Sequence, residues 1–395
     1  MTPQPNSDIQ RLSLHIAILS FASALSSIFS VVFLVRAGLT PAQIFLTACA
    51  VIAGRFILRP VVLVWAPVMG LRRALIVGVV LTAISCPMLA PVQGVGFALA
   101  AYLAVCAFGQ AFYWTCFHTF FSALSDADRR GSQVGLCQAL GALGGLFGPA
   151  IGGVLLTQLG PWADFGVGFA IMLVSVLPIL RVAEPHVVRA TPAGAYAAAK
   201  NGAMIYFADG WMQVGLSTAW SIVMFQTLGG RYDSFGGTLS LAGLAGAAGG
   251  MVLGRFIDKG HARRALWLNA IILAICLVLR SATFGHVGAV IAVAVGTTLF
   301  SGLYVPSWLT AVYNEARISP CMLRYQFAAE AGWDMGGALA GGIAAAMCYW
   351  GLPVDAVILL ALPMVPVQAL LLERSYALQS PAGLGAVKGY ATAES

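Results

Sequence analysis

Two pairs of charged residues stand inside apolar sequence. "FAAEAGWDMGG" (327–337) holds Glu330 and Asp334, with no other charge from Tyr325 to Val354. "AGRFILRPVV" (53–62) holds Arg55 and Arg59. Each pair is spaced four apart, so on a helix both members share one face. Carboxylates buried without partners are strongly disfavoured, whereas opposed pairs neutralise each other. Such a cluster could bind a charged small molecule or exchange protons as it opens and closes, or it could be a static, self-satisfied set. Asp209, in "YFADGWMQVG" with Gln213 one turn on, is a second candidate proton site, or a carboxylate that hydrogen-bonds near a helix start. His118, in "QAFYWTCFHTFF", shares a helical face with Gln110 and Trp114. An imidazole there can carry protons, or can be packed and hydrogen-bonded; His15 reads the same way, more weakly. Tyr113, Trp114, Trp211, Trp220, Tyr304, Trp308 and Trp333 crowd the same stretches. They pack, anchor at an interface, or offer flat faces to a partly apolar ligand. Tyr304 and Trp308 join the candidate binding residues.

Other chemistries find no support in the sequence. The eight cysteines lie in apolar stretches without a CxxC pair, which reads as buried small hydrophobes rather than metal or disulfide chemistry. There is no HExxH, no GxSxG and no GxxxxGK[ST] loop. The expectation is a protein that is not an enzyme and takes no cofactor, metal or ATP.

The elements that must position these residues are membrane helices. The 395 residues are 60% hydrophobic and 9% charged, with mean hydropathy +0.89, against about 25% charged in soluble domains. The net charge of +7 comes from basic residues scattered singly and in pairs, which argues against nucleic acid. A spanning helix needs roughly 20 apolar residues. Apolar runs fall near 13–36, 41–68, 74–92, 96–123, 133–157, 164–183, 203–228, 237–256, 265–282, 287–312, 322–350 and 355–372. Turn chemistry punctuates them, as in "AGLTPAQ", "APVQGVG", "LGPWAD" and "GLPVD". The predicted fold is an all-α integral membrane protein of twelve transmembrane helices in two pseudo-symmetric six-helix bundles. Residues 1–183 form the N-terminal bundle, 184–202 a cytoplasmic linker, 203–373 the C-terminal bundle and 374–395 a disordered cytoplasmic tail. The N-terminus lacks the basic region and cleavage site of a signal peptide.

Orientation follows from Lys and Arg on the short loops. With both termini inside, sixteen of the twenty-one basic residues are cytoplasmic, and only Arg36, Arg231 and Arg280 fall near the outer face. Arg55 and Arg59 lie on no loop. Counted from the inner boundary, Arg59 and Glu330 lie roughly 15 Å deep, and Arg55 and Asp334 roughly 21 Å. The two pairs therefore meet if the second and eleventh helices are neighbours. "NEARISP" (314–320) and "SDADRRG" (125–131) read as inner loops, with Arg317 docking on its neighbours and Arg129 and Arg130 holding topology.

Two further stretches carry a family resemblance. "GRFIDKGHARRAL" (254–266) resembles the inner-loop signature of the major facilitator superfamily, through Gly254, Asp258, Lys259, Gly260, Arg263 and Arg264. The first half keeps only part of it. "APVMGLRRAL" (66–75) retains Arg72 and Arg73 but has Pro67 in place of the acid. "GLCQALGALGGLFGPAIGG" (135–153) has Gly135, Gly144, Gly148, Pro149, Gly152 and Gly153 at the spacing of that family's antiporter motif. Small residues four apart allow close helix approach, and the proline bends the segment. The family's helix-4 arginine is absent, since "CAFGQ" (106–110) stands there. The resemblance implies two bundles rocking about a midplane site, with the second helix facing the eleventh across the seam.

The combined expectation is a monomeric secondary active transporter of the cell (inner) membrane. It would export a small organic molecule against protons by alternating access, with sodium as the alternative ion. Two other readings remain open: proton-coupled uptake of an organic anion, favoured by the intramembrane arginines, and a non-transporting membrane receptor.

Overall fold

The computed structural model describes residues 5–126, 129–185, 191–257, 262–301 and 304–378. Among these the regular elements are helical, with no strand. Each expected apolar run coincides with a helical tract. α1 is Pro5–Leu25, continued by Ser27–Phe29 and Ser30–Arg36. α2 is Pro41–Met69, α3 Leu71–Leu89, α4 Phe97–Leu124, α5 Arg130–Gln158, and α6 Pro161–Val174 with Val176–Ile179. α7 is Lys200–Gln213, a π-helical turn Val214–Ala219 and Trp220–Thr227. α8 is Tyr232–Ile257, α9 Ala262–Ser281, and α10 comprises Val287–Ser301 and Tyr304–Ile318. α11 is Met322–Tyr349, and α12 comprises Val354–Ile358, Leu359–Ala361 and Met364–Leu378.

Local chemistry sets several of these ends. Pro41 opens α2 behind a capping box, in which Thr40 Oγ1 accepts from the Gln43 amide and Gln43 Oε1 from the Thr40 amide. The helix stops at Gly70, whose φ of +92° suits glycine. α1 to α6 and α12 are long and apolar enough to cross a membrane. α7 and α11 carry Asp209, Glu330 and Asp334 in their middles. Large apolar side chains face outward, among them Ile57, Val68, Phe147 and Ile275. On α2 the contrast is sharp: Ile57 is 72% exposed and Arg59, two residues on, is 0% exposed. A helix with an apolar exterior and a charged interior suits lipid outside and protein inside.

Several boundaries differ from the sequence expectation. Residues 314–318 of "NEARISP" are helical, because Glu315 is tied down by Asn201, Tyr325 and Ser375. Residues 374–378 of the expected disordered tail continue α12, with Ser375 buried against Glu315; residues 379–395 lie outside the described residues. The expected linker already turns helical at Ala197–Ala199 and Lys200. Arg130 opens α5 rather than lying in a loop.

The two halves of the chain meet chiefly along two helix pairs, α2 with α11 and α5 with α8. The α5–α8 crossing is close because both helices offer glycine. A side-chain carbon built on Gly236 would lie 2.0 Å from the Pro149 carbonyl oxygen, and one on Gly243 2.5 Å from that of Gly145. Pro149 has no N–H to give Gly145, and the next amide, of Ala150, donates to Ser240 Oγ at 3.0 Å. Gly144, Gly148 and Gly152 face α1, and Gly153 faces Tyr232 of α8. Gly135 touches nothing within 4 Å of such a carbon, so close approach does not explain it.

Candidate functional site

The α2–α11 contact brings the four intramembrane charges together, with a distribution the depth argument did not anticipate. Asp334 is the hub. Its Oδ1 accepts from Arg55 Nη2. Its Oδ2 accepts from Arg59 Nε at 2.9 Å and from Arg59 Nη2. Glu330 stands further off, with Oε2 3.4 Å from Arg59 Nη1 and 3.6 Å from Arg55 Nη2. Helical spacing fixes a shared face but not the reach of two flexible guanidiniums, and the shorter aspartate draws both. Arg59 Nη1 also donates to Thr115 Oγ1 at 2.6 Å, and Arg55 Nη1 to Gln110 Oε1 at 3.1 Å. These α4 partners satisfy donors that the carboxylates leave over.

His118 extends the cluster toward α10. Its Nε2 lies 3.2 Å from Glu330 Oε1, and its Nδ1 shares a 2.5 Å hydrogen bond with the Tyr313 hydroxyl. Trp114 stacks on the imidazole at 5.4 Å between ring centroids. His15 lies apart from the four charges, held by the Ser175 carbonyl at 2.8 Å and the Tyr113 hydroxyl at 3.2 Å.

Asp209 is buried on α7 and is held differently. It accepts from the Tyr304 hydroxyl at 2.7 Å and from Trp333 Nε1 at 2.8 Å, both neutral donors. Among the described residues no cation lies within ion-pair distance of it. The face of the same Trp333 ring carries the Arg55 guanidinium at 4.7 Å, which joins the two acidic centres through one indole.

Of these groups, Arg55, Gln110, Trp114, His118, Asp209, Glu330 and Trp333 line a cavity of about 530 Å³ between the halves, whereas Arg59, Asp334 and Tyr304 stand behind its wall. One wall carries Ser20, Ser23 and Ser27 of α1 and Gln138 of α5. The second half contributes the aromatic rings of Tyr206, Trp308, Tyr313 and Trp333, and α4 adds Tyr113, Trp114, Phe117 and Phe121. Trp308 Nε1 is buried, without a hydrogen-bond partner among the described residues. Sequence reasoning missed the serine row, Thr115 and Tyr313. The serines recur at helical spacing in apolar sequence and were readable as a polar stripe; the other two depend on cross-helix contact.

Cross-half contacts lie on both sides of this cavity. On one, Arg130 donates to Asn314, Arg317 Nη1 to the Ala123 carbonyl at 2.5 Å and Gln326 Nε2 to Ser122 Oγ at 2.9 Å. On the other, Phe29 meets Phe235 edge-on at 5.7 Å and Cys49 Sγ donates to the Ala338 carbonyl at 3.3 Å. Of the inner-loop signature, Asp258, Lys259 and Gly260 lie outside the described residues, as do the side chains of Arg263 and Arg264; the backbone of Gly254 is helical. In the partial first-half copy, the acid missing at Pro67 has a counterpart from beyond α6. Glu184 Oε1 accepts the Arg72 amide at 3.1 Å, while Arg72 Nη1 reaches the Leu180 and Val182 carbonyls.

No curated protein matches the chain in sequence. In fold it is similar to the crystal structure of the human organic anion transporter MFSD10 (TETRAN), with TM-score 0.67 and 14% identity over 94% of this chain and 100% of that one. It is also similar to the transporter FucP in its outward conformation, with TM-score 0.65 and 14% identity over 93% of this chain and 98% of that one. A structure of the E. coli fucose:proton symporter FucP gives 0.64 and 15%, again over 93% and 98%. The family description Major Facilitator Superfamily matches residues 12–341. With that match spanning most of its length, this helical membrane protein belongs to the Major Facilitator Superfamily of transporters.

Proposed function

We propose that the chain is a proton-coupled exporter of a small, partly aromatic organic molecule, neutral or cationic, working as a monomer in the cell (inner) membrane with both termini cytoplasmic. One observation carries this reading. Arg55 and Arg59 are answered by Asp334 and Glu330, while Asp209 faces the cavity with neutral donors only. The surplus charge around the cavity is therefore negative, which attracts a cation or a proton and disfavours an anion. The aromatic lining suits a flat ligand, and the Trp308 N–H can donate to an acceptor on it.

Alternating access supplies the coupling. Parting α2 from α11 separates Asp334 from both arginines, and a carboxylate stranded in a poorly solvated seam is neutralised by a proton. Proton or substrate on Asp209, but not both, makes the two fluxes exchange. The six-residue motif on α5 supports the antiport direction. The inner-loop residues Gly254, Asp258, Lys259, Gly260, Arg263 and Arg264 bias the conformation.

The second reading, uptake of an organic anion, draws on Arg55, which also lines the cavity, and on the likeness to a structure described as an organic anion transporter. The two separate in proteoliposomes under an imposed pH gradient. The exporter reading expects flux of an aromatic monocation such as ethidium, abolished by a protonophore and by Asp209→Asn. Benzoate flux surviving Asp209→Asn, with no ethidium flux, would establish the second reading instead.

A further inference from the structure

A second cavity of about 180 Å³ lies within the second half of the chain, among Gln213, Asn269, Cys276, Arg280, Thr297 and Tyr304. Arg280 stands in the last turn of α9, where sequence alone placed it among the outer-face cations. Its head turns inward. Nη1 donates to the Leu216 carbonyl at 3.0 Å and Nη2 to Thr297 Oγ1 at 3.0 Å. Leu216 belongs to the π-helical turn Val214–Ala219, which has left the regular α-helical ladder. The guanidinium also lies 5.0 Å from the Trp220 ring centroid. Its Nε is buried and has no hydrogen-bond partner among the described residues. Among the described residues no acid lies within ion-pair distance.

We propose that this cavity is an anion site, taking a small monoanion, a halide or a short carboxylate, on Arg280. The carbonyl, hydroxyl and indole satisfy donors but leave the positive charge uncompensated among the described residues, and a half-buried charge favours a counter-charge. The cavity holds far more than the roughly 10–15 Å³ that one water needs, and the Asn269 amide on its lining can offer a further donor, whereas the Gln213 amide also reaches Asp209. The planar fork of an arginine suits a carboxylate as well as a halide. Tyr304 lines this cavity and donates to Asp209, so the bound anion sits beside the residue that holds the main-cavity acid. The site stands independently of what the central cavity carries.

The test is thermal unfolding of the purified full-length protein at fixed ionic strength, replacing sodium gluconate with chloride, bromide, formate or acetate. A ligand of the native state raises the melting temperature saturably. Expected is such a rise with the small anions, and an apparent affinity at least about tenfold weaker in Arg280→Gln. A rise with halides alone identifies an inorganic ion; a rise with formate and acetate as well identifies a carboxylate site. No saturable rise, or an undiminished one in Arg280→Gln, overturns the proposal. Should Arg280→Gln fail to fold, Asn269→Phe, which projects a ring into the cavity and leaves the arginine, reads the same outcome: loss of the rise supports the site and an unchanged rise refutes it.

Discussion

Asp334 answers two guanidiniums at once, so its removal and that of Glu330 are unequal events. Asp334→Asn keeps the shape and removes the charge, leaving the more distant Glu330 as the acid that Arg55 and Arg59 retain among the described residues. Breaking a buried ion pair by removing one partner typically costs about 3–5 kcal/mol. Asp334→Asn is expected near that range and Glu330→Gln clearly below it, read as the difference in thermal unfolding in the same detergent. Equal losses would mean that the hub assignment fails. Arg59→Ala and Asp334→Asn are each expected to abolish transport while the protein still inserts; normal flux in either would show that the cluster is only structural. The pairing of arginines with acids was legible in the sequence, because two four-residue spacings in apolar surroundings leave few other ways to satisfy the charges. The hub was not. It depends on side-chain length and on Thr115 and Gln110 taking the remaining donors, which spacing along one helix does not encode.

Helices α5 and α8 touch through backbone, and that contact has its own test. Gly236→Ala would place a methyl group on the Pro149 carbonyl, so the crossing must widen. The expected outcome is slowed transport turnover with substrate affinity little changed, measured as rate against concentration in proteoliposomes. Gly135→Ala is the matched control, since nothing lies within 4 Å of its added carbon, and stability within about 0.5 kcal/mol of the parent is expected. A slow Gly135→Ala with a normal Gly236→Ala would relocate the motif's role to some other surface. Spans such as α2 and α5 were readable because an apolar run bounded by proline and glycine has one outcome in lipid. The π-helical turn of α7 was not, because "VGLSTA" has no local signal that separates it from α-helix. It becomes visible only with Arg280 on the Leu216 carbonyl. Likewise "NEARISP" reads as a loop from its polarity, yet Glu315 gathers three partners from elsewhere and the helix runs on to Ile318.

At the scale of the molecule, direction of transport has meaning only once the orientation in the membrane is fixed. Positive residues cluster on one set of loops, and the proposed orientation puts that set in the cytoplasm. The contacts of Arg130 with Asn314 and of Arg317 with Ala123 then close the cavity on its cytoplasmic side, and those of Phe29 with Phe235 on the outer side. A single inversion of the chain would exchange these roles and turn an exporter into an importer with every local contact unchanged. Two surface positions decide between them. Arg231 precedes α8 on the proposed outer face, and Arg129 precedes α5 on the inner face. In a cysteine-free background, Arg231→Cys is expected to react with a membrane-impermeant maleimide added to intact cells. Arg129→Cys is expected to react only after the membrane is opened. The reverse labelling would invert the topology and, with it, the sense of the proposed proton exchange, because the same Asp209 would then meet the proton-rich compartment from the other side of the seam.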